Sequence, residues 1–167
     1  MESMDQNLAD PDESNETEQT FLQEDGSTNL QALVLHNKAA IMAALKSNGV
    51  TNATSEYSGS GDEGSTGSVT VHPENTAALE YNVTVKMIGS TFDSSAEKWI
   101  TKASDSNLTL EQALRDVTDQ LIEMNGHAGY EDGDGGGGSV TFDVENDTVE
   151  QDHYDCVVEN VHSVHEL

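Results

Sequence analysis

The sequence predicts an α+β protein built of two helix–hairpin repeats with antiparallel sheet, preceded by a disordered acidic N-terminal tail. Three observations carry this reading. Two segments place apolar residues at helical spacing, and each stops at a glycine, Gly49 and Gly126. Leu79, Tyr81, Val83, Val85 and Met87 alternate with polar residues, the period of a half-buried strand. The order helix, glycine, tyrosine-bearing strand, Gly/Asp loop and Gly-Ser-Val-Thr strand occurs twice.

Residues 1–27 are rich in Asp, Glu, Asn, Gln and Ser, with Phe21–Leu22 as an apolar pair, so a disordered tail braced on the core by that pair is expected. Residues 28–167 form the predicted domain, with similar halves at 28–92 and 108–167. The first helix takes Thr28 or Asn29 as its cap and aligns Leu30, Leu33, Val34, Ile41 and Leu45. A strand over 50–57, a loop over 58–67 and a short strand over 68–71 follow. After the alternating strand, residues 94–102 read as a short helix anchored to the core by Trp99 and Ile100. Thr109 and Gln112 form a capping-box pattern ahead of Leu110, Ala113, Leu114, Val117, Leu121 and Met124. The loop 129–138 leads to a strand over 139–144, and residues 148–164 add one or two strands. The sheets of the two halves either join or pack together.

At the two glycine loops the chain resembles a family of small uncharacterised acidic proteins of bacterial, plasmid and phage genomes. The residues that carry the resemblance are Tyr57-Ser-Gly-Ser-Gly-Asp-Glu-Gly64, His127-Ala-Gly-Tyr-Glu131, Val140-Thr-Phe-Asp-Val144, Tyr154 and His162-Ser-Val-His-Glu-Leu167. Tyr130 stands where that family has Trp, and Ser58 where it has Asp. The resemblance covers residues 28–167 and implies duplicated helix–Gly/Asp-loop–strand halves and a mobile-element setting. It implies no activity.

Charge narrows the function classes. The chain carries 32 acidic and 6 basic residues, a net −26. Residues 1–37 and 116–167 hold nine and fourteen acids without a Lys or Arg, while residues 38–115 hold nine acids and all six bases. Such a field repels nucleic acid and anionic membrane and steers toward basic protein surfaces or cations. Solubility, a salty habitat and a basic partner each account for the acidity. No apolar run approaches the roughly 18 residues of a membrane span, and the acidic start is unlike a secretory signal. The single Cys156 excludes an internal disulfide. A cytoplasmic protein is expected, with a homodimer as one possible assembly.

Several constellations have chemical potential. Asp132, Asp134 and Asp143 occupy the first, third and twelfth positions of a calcium-like loop with Gly137 at the sixth. Asp replaces the longer Glu at the twelfth position, and a plain hairpin connection explains the same glycines. His153, Cys156, His162 and His165 have side chains that zinc accepts, but residues three apart on a strand point to opposite faces, so edge-strand histidines and one buried cysteine are the reading expected first. Cys156 as a nucleophile would suffer from acidic surroundings that raise a thiol's pKa. The glycine runs at 59–61 and 135–138 lack the Lys or Arg that a phosphate cradle uses. No cofactor is expected, calcium apart.

The resulting expectation is a non-enzymatic acidic binding protein that occupies a basic, and in the strongest version DNA-binding, surface of a partner. A DNA mimic that inhibits a host defence system is one form. Asp116, Asp119 and Glu123 lie at helical spacing and can form a stripe that Glu131, Asp132, Asp134, Asp143, Glu145 and Asp147 extend. A calcium-binding or accessory scaffold, or a salt-adapted protein, is the alternative.

Overall fold

The computed structural model describes residues 21–167. Its elements are helix α1 (Leu30–Ser47), strands β1 (Asn52–Ser60) and β2 (Glu63–His72), a one-turn helix α2 (Thr76–Leu79), strands β3 (Asn82–Asp93) and β4 (Lys98–Thr109), helix α3 (Leu110–Met124), and strands β5 (Gly136–Asp143) and β6 (Thr148–Asp155). The fold is α+β with antiparallel sheets. A four-stranded sheet has the order β2-β1-β5-β6, and β3 and β4 form a separate two-stranded sheet.

Local chemistry sets the helix ends where the pattern placed them. The Asn29 side chain accepts from the Ala32 N–H at 3.2 Å, satisfying a donor that the first turn leaves open. Gly49 follows α1 with φ +72, a left-handed conformation that a side chain would strain. At α3, Thr109 and Gln112 bond reciprocally at 3.2 and 3.3 Å in a complete capping box. Gly126 lies beyond its end at φ +78.

The core lies between the helices and one face of the larger sheet. Ile41 and Leu45 of α1, Leu110, Leu114 and Val117 of α3, Ala53 and Tyr57 of β1, and Val140 and Phe142 of β5 are buried together with Val83 and Val85 of β3. Each large apolar side chain so buried contributes roughly 1.5–3 kcal/mol. A satellite cluster of Phe21, Leu33 and Ala103, with Ile88 packed against it, covers the middle of the β3–β4 hairpin. Phe21 thus braces the core, and residues 21–28 turn back through a Leu22–Thr28 bridge. That segment of the expected tail is ordered, while residues 1–20 lie outside the described residues.

Several expectations are corrected. The loop expected over 58–67 is a hairpin: β1 and β2 pair to Ser60↔Glu63 around Gly61 and Asp62, both at positive φ. Two residues at φ > 0 suit the right-handed twist of a tight hairpin, so glycines that read as loop are strand ends. The helix expected over 94–102 is the turn and start of β4. Trp99, Ile100 and Thr101 favour extended backbone and pair with Phe92, Thr91 and Ser90. Trp99 is 69% exposed, so it does not anchor the core. The half boundary at residue 92 falls inside this β3–β4 hairpin, which stands between the α1–β1–β2 and α3–β5–β6 units. Those hairpins join edge to edge through β1 and β5. Tyr130 lies in the connection before β5, not in a strand. The Gly-Ser-Val-Thr match aligns the edge strand β2 with the central strand β5, so it does not mark equivalent positions. Residues 148–164 supply one strand, and 156–167 are exposed without regular structure.

Candidate functional site on the open sheet face

The helices cover one face of the four-stranded sheet and leave the other open. Strand alternation puts Ala53, Ser55, Tyr57, Val140 and Phe142 inward. The outward residues form rows across the strands in the order β2, β1, β5, β6: Thr70, Thr54, Thr141 and Glu150 in one, and Glu56, Ser139 and Asp152 in the next, with Ser68 beside Glu56 at a bulge in the β1–β2 pairing. The row beyond ends in Ser58, Gly137 and Tyr154. Small hydroxyls and carboxylates make up the surface, and no Lys or Arg lies on it.

A groove of about 390 Å³ opens on this face, lined by Glu56, Ser58, Ser139, Asp152 and Tyr154 with the backbone of Tyr57 and Gly138. Its floor is made by glycines. A Cβ on Gly137 would come within 2.7 Å of the Tyr154 hydroxyl, so the bare backbone lets the Tyr154 ring lie across β5. Ser68 Oγ donates to Glu56 Oε2 at 2.7 Å and orients that carboxylate. Glu56 and Asp152 flank Ser139 on neighbouring strands, two strand spacings or about 10 Å apart. Two carboxylates, hydroxyl acceptors and an aromatic face suit a guanidinium or ammonium group.

The groove is fixed from beneath by a polar network on the inner face. Tyr57, Gly138 and His153 are successive register partners on β1, β5 and β6. The Tyr57 ring passes over Gly138, where a Cβ would sit 2.7 Å from its hydroxyl. Gln151 Nε2 donates to the Tyr57 hydroxyl at 2.9 Å, and that hydroxyl meets His153 Nδ1 at 2.9 Å. With Tyr57 as donor to Nδ1, His153 Nε2 carries the proton given to Asp155 Oδ1 at 3.2 Å. His127 stacks on His153 at 3.8 Å, and Tyr130 packs edge-on against Tyr57 at 5.1 Å. Burial raises the Tyr57 pKa and holds it as a neutral phenol. The network ties β6 to β1 across a glycine that offers no side chain of its own.

One comparison with known proteins places the chain. A family of unknown function, DUF6878, matches residues 33–167. The chain belongs to this family. No curated protein and no solved structure matches it. The DUF6878 match runs from the first turns of α1 to the C-terminus and so includes every residue of the groove and of the network beneath it.

In this DUF6878 chain the acids expected to form one stripe fall into two groups. Asp119 and Glu131 lie near Tyr130, whose pKa is raised by burial and then by the charges of Glu131 and Asp119, and Asp116 lies beside Asp119. Burial also raises the Asp116 and Asp119 carboxyls, and for Asp119 the charge of Asp116 adds to this while Arg115 opposes it. The Asp62 N–H donates to the Glu131 carbonyl at 3.1 Å, and Gly61 to Gly133 at 3.2 Å, so the two glycine loops pack on each other. Asp132 and Asp134 belong to this end, and Glu123 is exposed near the end of α3. Asp143, Glu145 and Asp147 lie at the far end of β5, seven residues or roughly 23 Å along an extended strand. There Asp143 caps a turn by accepting from Asn146, and Asp147 pairs with Lys38 at 3.6 Å.

The same strand overturns the calcium loop. Asp132 and Asp134 precede β5 and Asp143 ends it, so the three carboxylates do not meet. His153 is committed to Tyr57 and Asp155, so the alternative zinc series is not assembled, and Cys156, expected to be buried, is exposed because β6 ends at Asp155. Among the described residues no group of three or more His, Cys, Asp or Glu can hold a metal ion. Sequence reading missed Glu56, Ser139, Asp152 and Tyr154. The signal was the alternation of Glu150, Asp152 and Tyr154 with Val149, Gln151 and His153, which puts the acids on one face.

Proposed function

We propose that this protein is a binding module whose open sheet face receives a basic surface of a partner protein. The carrying observation is the placement of Glu56 and Asp152 on either side of Ser139, beside the Tyr154 ring, on a face without Lys or Arg. A partner's Arg or Lys side chain fits between the two carboxylates with its stem against the ring. Exposed ion pairs contribute about 0.2–1 kcal/mol each and an exposed cation–π contact about 0.5–1 kcal/mol. One side chain is therefore too weak, and recognition sums over several along the rows that include Glu150. The strongest form of the proposal is a partner surface that otherwise holds DNA, with this protein as the mimic that blocks it, for example in a defence system. Among the described residues no helix is long and apolar enough to cross a membrane.

The test is affinity purification with the full chain and with Glu56→Lys/Asp152→Lys, each at low and high salt. The expected partner is retained by the native chain at low salt, released as salt screens contacts beyond about 8–10 Å, and lost to the double variant by more than tenfold. Duplex DNA added to the captured complex should compete if the partner surface is a DNA-binding one. A partner held equally by the double variant, or unmoved by molar salt, would sink the proposal.

A further inference from the structure

The β3–β4 hairpin leaves the body of the molecule. Val83 and Val85 reach the main core, and Ile88 and Ala103 reach the satellite cluster. Beyond them lie five further register pairs, from Gly89↔Lys102 to Asp93↔Lys98, and their side chains are almost all exposed. A free two-stranded ribbon is marginal in water, yet this arm has a device that stiffens it. Phe92 and Trp99 are directly opposed and pack edge-to-face at 5.7 Å. They occupy one face of the arm. Lys98, Ile100 and Lys102 alternate onto the other.

The charge on that second face is unusual for this molecule. Of the six bases, Lys38, Lys86 and Arg115 already pair with Asp147, Asp105 and Glu111. Among the described residues Lys46, Lys98 and Lys102 have no carboxylate at ion-pair distance. Lys46 sits in the last turn of α1, where it complements the helix dipole. The arm therefore holds two exposed cations on one face without an ion pair among the described residues; Asp93, opposite Lys98 in the register, is engaged by Ser95 and the Ala96 N–H instead.

We propose that this arm docks in the open-face groove of a second copy of the same chain, with Lys98 and Lys102 against the Glu56 and Asp152 carboxylates and Ile100 against the Tyr154 ring. The spacings agree. The two lysines are four strand residues, or about 13 Å, apart, and the two carboxylates about 10 Å, a difference that lysine side chains absorb. Ile100 stands midway between the lysines, and Tyr154 is 53% exposed beside the carboxylate row. Docking is reciprocal when each copy offers one arm and one groove, which gives a closed two-fold dimer. The inference rests on the groove being a receptor for basic groups, and it makes the arm an internal occupant of that receptor. Self-association then closes the face to other partners.

The experiment uses sedimentation at near-physiological salt, where a Debye length of about 8 Å screens the repulsion between two acidic molecules more than the contacts inside the groove. Three full-length proteins are compared across a concentration series: native, Lys98→Glu/Lys102→Glu, and Glu56→Lys/Asp152→Lys. The native chain should form dimers, and each variant alone should stay monomeric, because both then face like with like. The equimolar mixture of the two variants should dimerise, since each reversed arm meets a reversed groove and each native arm a native one. A native chain that stays monomeric, variants that dimerise alone, or a mixture that stays monomeric overturns the proposal. Titrating a lysine- and arginine-rich peptide into the native chain separates the two ideas. Peptide binding lost in Glu56→Lys/Asp152→Lys, with no native dimer, leaves the groove reading standing and removes the arm.

Discussion

Gly138 lies between Tyr57 and His153 in the register of three adjacent strands, and the tyrosine ring fills the space above it. Gly138→Ala puts a methyl 2.7 Å from the Tyr57 hydroxyl and against the Asp152 backbone, which cannot retreat without breaking β6 pairing. A loss of about 1–3 kcal/mol is expected in urea unfolding, the usual scale of overpacking. An unchanged midpoint would show that the ring does not cross the strand. Ser55 makes the opposite case. Its Oγ is fully buried on the inner face and has no hydrogen-bond partner among the described residues. Ser55→Ala removes an unsatisfied group, so stability should stay level or rise by up to about 1 kcal/mol. A clear drop in the same assay would mean that the hydroxyl has a partner.

At the scale of elements, the arm is held to the body through Asn37. This buried α1 side chain accepts from the Lys86 N–H at 2.7 Å and donates to the Lys86 carbonyl at 2.9 Å. It replaces the neighbour strand that β3 lacks on that side. Asn37→Leu leaves both backbone groups without a partner, at about 1–3 kcal/mol each. Amide hydrogen exchange should quicken through β3 and β4 more than in β1 and β5. Uniform exchange across both sheets would refute the anchor. Helix α3 depends on its capping box, and Thr109→Ala should cost about 0.5–2 kcal/mol by thermal unfolding. The cap and its Gln112 partner were legible from sequence because both bonds are local. The β3–β4 arm was not. The β-branched and aromatic residues 99–101 lean toward extended backbone, but so short a run does not decide between strand and helix, and pairing of 98–102 with 89–93 settles it. The outer-face groove was hidden for the same reason: Glu56, Ser139 and Asp152 are far apart in sequence and become neighbours only through strand order.

For the whole molecule, the acids pull stability in two directions. Asp116 and Asp119 have carboxyl pKa values raised above 3.8 by burial, so the folded state holds their protons more tightly than the unfolded chain does. Folding therefore gains as pH falls from neutral toward those raised values. Asp93 and Asp143 are held below 3.8 by bonds from Ser95 and Asn146, and their contribution is present above the ordinary carboxylate value and lost as pH falls through the lowered ones. The melting temperature should pass through a maximum in mildly acid solution. Asp116→Asn/Asp119→Asn should be more stable than the native chain at neutral pH and show a flatter rise on acidification. A native melting temperature that only falls from neutral pH downward would contradict this balance.

Sequence by itself determined the α+β class, the two long helices with their ends, and the excess of negative charge, because each depends on nearest neighbours or on composition. Of the expected alternation only Val83 and Val85 point inward, since Leu79 ends α2 and Tyr81 and Met87 are exposed. Tertiary structure alone decided that β1 joins β5, that Asp143 and Asp132 stand at opposite ends of a strand, and that Glu56 and Asp152 share a groove. Those outcomes depend on strand order and register, which are set by packing between residues distant along the chain.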